Sequence, residues 1–530
     1  MQLWRLTHFS NNVLLALFIV FVFAFSASAA LYFLYHPQPN VHDEFSYLLS
    51  CDTFVHGRLT NPGLEDSNAF DSFHILVQPK YVSKYPPGQG LFLAIGKFIC
   101  GSPIFGVWIS ISLACAAICW MLQQWMPARW AFIGGMLAVI QLVFFGRPFE
   151  MGLPVGYWSQ GFFGGAVAAL GGALVYGAIR VLANRLSFRG TAILAAGAAL
   201  LFLSRPFEGG LAALPAFGVF AVLIYRAGKS SLSKLTPLIV IGSLTVFFQT
   251  KINLETTGDA FRLPYRMYES KFFVPVFLTQ PLEKKTLFSN LQQRQLYEEN
   301  MQSYAEQQNL SGFTRVLLTR KIPQFIDFFF GPALSCFFVA LPFVFRNHWM
   351  KLAGIAVAME LCGLATETWF LPHYAAPITG LLFLLLLQSM RRFVHWRIGE
   401  RSVGRLLALF ISCVFVLLTW NALLNQRRTD PGSWYNARAA IIRDLEARGG
   451  KHLIFVRYGP EHFFHHEWVY NGADLANSNI LWAHEGSAEQ NKQVVDHYPN
   501  RTLWLLYDDS PADVLRRKKP SLTRISDPGK

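Results

Sequence analysis

The sequence predicts a mainly α-helical, polytopic membrane bundle that carries a small α/β domain at its C-terminal end. Three observations predict it. Of 530 residues, 53% are hydrophobic and only 15% are charged, a balance too apolar for a soluble chain of this length. Apolar runs near bilayer-crossing length recur between residues 13 and 424. The tail then changes character, with one helical repeat and two short apolar runs of strand type.

The first run, Val13 to Tyr35, ends in small residues that resemble a signal-peptidase site. It is long for a signal core and many further runs follow, so it reads as a retained helix. Further spans are expected near 103–125, 130–146, 159–182, 190–204, 208–226, 235–250, 326–346, 350–368, 374–390 and 406–424, about eleven in all. The stretch 88–100 is apolar but short and holds Lys97; it reads as an interfacial or re-entrant helix leading into the next span. Polar segments at 36–87 and 251–325 read as loops, the second with a helix around 283–308. Two domains follow: the bundle at 1–424 and a soluble domain at 425–530. In the latter, 438–450 reads as an amphipathic helix ended by Gly, and 451–458 and 501–509 read as strands.

The net charge is +14. No basic–aromatic module of the nucleic-acid-binding kind accompanies it, so nucleic acid is excluded as the expected partner. The cations instead fall in alternate short loops: Arg129; Arg180, Arg185 and Arg189; Arg226, Lys229 and Lys234; Arg346 and Lys351; and Arg391 to Arg405. The opposite short loops carry only Arg147 and Arg205. The positive-inside rule then places the N-terminus in the cytoplasm and both polar loops and the tail outside; a bacterial inner (plasma) membrane is the expected location. The seven cysteines form no CxxC, and the tail has none, which argues against a disulfide scaffold or a structural zinc site.

The unusual polar residues gather on that outer side. In "VHDEFSYLLSCDTF" (41–54), Asp43, Tyr47 and Phe54 share one side of a helix and Glu44 adjoins them. Asp43 is either an N-terminal helix cap or a general base toward an alcohol. In "SKYPPGQG" (83–90), the Pro pair blocks any preceding helix. Lys84 there either snorkels to headgroups or binds a lipid phosphate, with Tyr85 beside it. "GRPFEMGL" (146–153) and "SRPFEGGL" (204–211) echo each other. Arg147 and Arg205 either pair with the Glu three residues on, Glu208 in the second case, or bind a phosphate or sugar carboxylate. His373 and Tyr374 are candidates for sugar contact. His465, His466 and Glu467 lack the HExxH spacing of a metalloprotease and read as a binding surface or a structural cluster.

An Asp-Glu pair in the first outer loop, followed by a Lys-x-Pro-Pro turn into the next helix, resembles the GT-C superfamily of polytopic glycosyltransferases. The nearest branches are the protein O-mannosyltransferases and the lipid A aminoarabinose transferases. The topology resembles theirs over about 1–424 and the motifs over about 41–92. In the aminoarabinose branch the Lys directly precedes the Pro pair, whereas Tyr85 intervenes here. The resemblance implies a GT-C fold, a polyprenyl-phosphate sugar donor, membrane lipids as surroundings, and a lipid, glycan or protein acceptor. It implies Asp43 as catalytic or acceptor-orienting acid, Glu44 as its companion, and Lys84 at the donor phosphate. No cofactor is required by it; a divalent metal is compatible with it. Two other readings stand beside this one. Glu360, inside an expected span, fits a transporter or lipid flippase. The tail fits a glycan-binding protein without catalysis.

Overall fold

The computed structural model of the chain describes residues 12–144, 156–272, 275–281, 288, 290–424, 432–512 and 518–526. Its first helix, Val13–Tyr35, is capped by the Asn12 side chain, which accepts from the Leu15 amide. Its buried positions, Ala16, Val20, Ala24, Ala27 and Leu31, recur every three or four residues. That stripe of mostly small side chains packs against Ile104–Trp125.

Helices occupy every region expected to cross the bilayer. By length and composition, seven helices among the described residues can cross: Val13–Tyr35, Ile104–Trp125, Ala166–Asn184, Pro206–Ala227, Lys229–Thr257, Pro372–Val394 and Val403–Asn421. An eighth is added if Leu310–Phe329 and Gly331–Val344, bent by 94°, count as one. The expectation of about eleven differs at four places: Ala128–Phe144 and Phe188–Ser204 are short, 326–346 is broken, and His348–Ala365, with Lys351 and Glu360 in its 18 residues, is not among the seven. At the break Gly331 has φ +60 and Pro332 offers no amide hydrogen.

The polar segments expected to be loops are more structured than that. His42–Val55 is a helix, followed by a three-stranded antiparallel sheet of Asn61–Pro62, Lys80–Ser83 and Ile75–Leu76, in that order. Pro87 then opens helix Pro87–Cys100, with the ring at a position where no amide partner is needed. This helix folds tightly on the next one: a Cβ on Gly96 would lie 2.0 Å from the Gly106 nitrogen. Of the 251–325 segment, residues up to Thr257 continue the preceding helix, and Pro264–Phe272 and Leu291–Glu306 are further helices.

The tail forms helix Trp434–Arg448 and a sheet in which His452–Tyr458 lies between parallel strands Ile480–His484 and Thr502–Asp508. Ser521–Ile525 adds antiparallel to the edge. Both expected strands are present. Ile480–His484 is an addition, too short to show periodicity in the sequence. The sheet is docked on the 42–83 segment, not tethered beside it. Phe45 stacks on Tyr470 with ring centroids 4.1 Å apart, Asp52 accepts from the Ala473 amide at 2.7 Å, and Tyr81 donates to the Asn471 carbonyl at 3.0 Å. These contacts set the histidines of the tail over the start of the His42–Val55 helix.

Candidate active site

The start of the His42–Val55 helix separates the roles of its two acids. Glu44 is buried and accepts from three backbone amides: Asn40 at 2.8 Å, Val41 at 3.1 Å and Phe162 at 2.8 Å. It therefore caps the helix by reaching back over its first turn, and also ties that turn to residue 162. Burial pushes its carboxyl up to about 7, against the pull of the three amides. With the capping done by Glu44, Asp43 is left free to face a cluster of side chains.

Tyr85 donates its hydroxyl hydrogen bond to Asp43 Oδ1. On the other side, Asp43 Oδ2 lies 3.0 Å from His42 Nδ1 and 3.8 Å from His74 Nε2. Burial works against its charge, but the two histidines and the Tyr85 hydroxyl together hold the carboxyl well below the usual range. Burial, with the Lys84 charge nearby, holds His74 well below the usual imidazole value and so neutral. His74 has φ +62, a region that costs a non-glycine residue energy. Its backbone is fixed there by three bonds. The carbonyl accepts from the Lys84 amide at 3.1 Å and Ser46 Oγ at 2.7 Å, and the amide donates to Tyr268 Oη at 3.0 Å. Beyond His42, His465 Nδ1 of the tail lies 3.3 Å from His42 Nε2, and His465 Nε2 lies 2.9 Å from Glu299 Oε2. Among the described residues, His42, Asp43 and His74 are the group whose spacing suits a metal ion.

Lys84, 9% exposed, is caged by aromatic rings: its Nζ lies 5.2, 4.8 and 4.6 Å from the ring centres of Tyr85, Tyr265 and Tyr268. No hydrogen bond from its ammonium is found among the described residues. Burial lowers its pKa to about 8, while Asp43 and Glu269 act to keep it charged. Burial raises Glu269 itself to about 7. Lys84, Tyr85, Pro86 and Pro87 line a cavity of about 270 Å³. Its other walls are largely apolar, including Phe202, Val246, Phe261 and Leu263, with Gln249, Asn253 and the hydroxyls of Ser50, Thr53, Ser83 and Thr250 as polar exceptions. Asp43 does not line this cavity but touches it through Tyr85.

Tyr47 stacks on Tyr85 with centroids 4.6 Å apart. Burial raises the pKa of the Tyr47 phenol, and both Arg205 and Asp43 are close enough to act on it electrostatically. Arg205 pairs with Glu208 at 3.0 Å and lies 4.4 Å over the Tyr374 ring; the adjacent Pro206 lines the cavity. His373 Nδ1 bonds to Tyr157 Oη at 2.6 Å and is buried. That segment is held close to Ala166–Asn184: a Cβ on Gly172 would lie 1.8 Å from the Pro377 carbonyl oxygen. Arg147 lies outside the described residues. Glu360 is fully buried, and neither carboxyl oxygen has a hydrogen-bond partner among the described residues.

The structure thus brings Asp43, Tyr47, Lys84, Tyr85, Arg205, Glu208 and Tyr374 into one neighbourhood and gives Glu44 a framework position. Sequence reasoning passed over His42, His74, Tyr265, Tyr268, Glu269 and Glu299. Only His42, adjacent to Asp43, carried a local signal. Of the tail cluster, His465 joins the site, whereas Glu467 turns inward and accepts from Tyr458 at 2.5 Å.

No family model matches the chain, and no curated protein does. Among solved structures it is similar to ArnT from Cupriavidus metallidurans in the apo state, at 12% identity over 92% of each chain and a TM-score of 0.47. It is similar to the same protein bound to undecaprenyl phosphate, at 13% identity over 95% of this chain and 93% of that one, TM-score 0.44. It is also similar to the Archaeoglobus fulgidus oligosaccharyltransferase tethered with an acceptor peptide, at 12% identity over 93% of this chain and 69% of that one, TM-score 0.47.

Proposed function

We propose that the chain is an integral-membrane glycosyltransferase of GT-C type. It moves a sugar from a polyprenyl-phosphate donor to an acceptor hydroxyl at the extracytoplasmic face, with the tail on that face of a bacterial plasma membrane. The observation that carries this reading is the placement of Tyr85. Its ring is part of the cage around Lys84 in the wall of a largely apolar cavity, and its hydroxyl bonds to Asp43. A lipid phosphate and an acceptor hydroxyl would meet across one phenol.

In this account the isoprenoid end of the donor follows the apolar walls and its phosphate faces Lys84, with Arg205 as a second cation. The acceptor oxygen forms a bond to the anomeric carbon while the bond from that carbon to the phosphate oxygen breaks, with inversion. The acceptor proton passes to Asp43, and polyprenyl phosphate leaves. Glu44 positions Asp43; Tyr47, Tyr85 and Tyr374 shape the sugar site; Glu208 orients Arg205; His373 acts from behind through Tyr157. The test is transfer of labelled sugar from a polyprenyl-phosphate donor to membrane acceptors. Loss of transfer in Lys84→Gln supports the reading, and wild-type transfer in that variant removes Lys84 from it.

Glu360 favours a second reading, a transporter or flippase, because a buried acid in an apolar helix, without a hydrogen-bond partner among the described residues, often marks a pathway. Reconstituted vesicles that show flux of the lipid-linked sugar without any transfer product would favour it instead.

A further inference from the structure

His42 Nδ1, His74 Nε2 and Asp43 Oδ2 point at one spot. The two nitrogens are 2.6 Å apart, and Oδ2 is 3.0 Å from the first and 3.8 Å from the second. All three atoms carry lone pairs. One proton placed among them serves only one pair of atoms and leaves the third facing another lone pair. A single cation serves all three. Ligands about 2.0–2.2 Å from a tetrahedral ion stand roughly 3.3 Å from one another, and the three separations bracket that value.

Two further features fit an ion and were not needed by the transfer chemistry. A histidine that binds a metal through one nitrogen donates its other N–H to a partner that fixes the ring. His42 does so here. If Nδ1 faces the ion, Nε2–H faces His465 Nδ1, and His465 Nε2–H in turn faces the Glu299 carboxylate. His74 is held differently: its Nδ1 is buried with no hydrogen-bond partner among the described residues, and its left-handed backbone is fixed by three hydrogen bonds. From there its Nε2 faces the shared spot.

We propose that His42, Asp43 and His74 bind one divalent transition-metal ion of the zinc class, with His465 and Glu299 as the outer supports of His42. Two imidazoles and one carboxylate suit such an ion better than magnesium, and three ligands leave a position open. The ion would polarise an oxygen placed at that open position. This role at the acceptor rests on the transferase reading; the site itself does not. The tail domain would then complete the site by contributing His465.

The test uses the full chain in detergent, without a histidine tag and stripped by chelator, titrated with Co²⁺ alone for its visible absorption and with Zn²⁺ for content by elemental analysis. One ion per chain with a low-symmetry, high-intensity Co²⁺ spectrum is expected. The paired His42→Ala, His74→Ala variant should lose the ion, and Glu299→Gln should keep it with affinity lowered about 10- to 100-fold. No stoichiometric ion in the wild type, or unchanged binding in the paired variant, overturns the site. Undiminished sugar transfer by the stripped chain overturns the acceptor role while leaving the transferase reading intact. A bound ion with no sugar transfer supports the site and counts against the transferase.

Discussion

The Tyr85 hydroxyl donates to Asp43 although the two residues lie 42 positions apart on different elements. Tyr85 follows Lys84 directly, so one turn of chain addresses the cavity and the carboxylate together. Replacing Tyr85 by Phe keeps the stack on Tyr47 and removes the hydrogen bond. A hydrogen bond to a charged group is worth about 1.5–3 kcal/mol, so kcat should fall about 10- to 100-fold with the donor KM little changed. A raised donor KM with unchanged kcat would place Tyr85 at the donor alone.

Lys84 sets a pH limit. Its pKa is lowered to about 8, first by burial, so the free protein loses this cation as pH rises through that value. A phosphate is held by the protonated form. Donor kcat/KM, which reports the free enzyme, should therefore be full below pH 8 and decline above it. Lys84→Arg should retain some activity and shift that decline beyond the working range, because a guanidinium stays charged. A pH profile of the same shape in both proteins would assign the alkaline limb to another group.

How much of this could be read beforehand depends on distance along the chain. Asp43 and the Lys84-Tyr85-Pro86-Pro87 turn belong to short local patterns, and Arg205 stands out as a cation among apolar residues. The metal-suited group was not legible, because His74 and His465 reach His42 only through the folded sheet of the 42–83 segment and the docked tail. Tyr265, Tyr268 and Glu269 come from a helix whose single turn or two of polar sequence resembled loop. The helical regions were legible from apolar runs, but their number as spans was not. Hydropathy does not register the bend at Phe330–Gly331 or how short Phe188–Ser204 is. That Glu44 rather than Asp43 caps the helix was not legible either, because its reach to Phe162 crosses 118 residues.

Glu44 should behave as a framework residue. Glu44→Gln weakens three buried contacts to backbone amides, so thermal unfolding in detergent should show a loss of about 1–3 kcal/mol. Activity should fall in step with folded protein. A variant with wild-type melting and no turnover would return Glu44 to the chemistry.

Arg205 is expected to resist conservative exchange. It makes a 3.0 Å pair with Glu208 and stacks on Tyr374 at 4.4 Å, and lysine reproduces neither the fork nor the flat face. Arg205→Lys should raise the donor KM about tenfold, measured by transfer at varied donor concentration. Unchanged KM would make the Arg205–Glu208 pair purely structural.

The central claim is that Asp43 acts on the acceptor hydroxyl in a sugar transfer from a lipid phosphate. The direct measurement is the rate of labelled-sugar transfer from a polyprenyl-phosphate donor by wild type and by Asp43→Asn, at equal amounts of folded protein. Loss of the carboxylate base should lower the rate by about 10²- to 10⁴-fold while donor binding persists. Equal transfer by the two proteins would contradict the account.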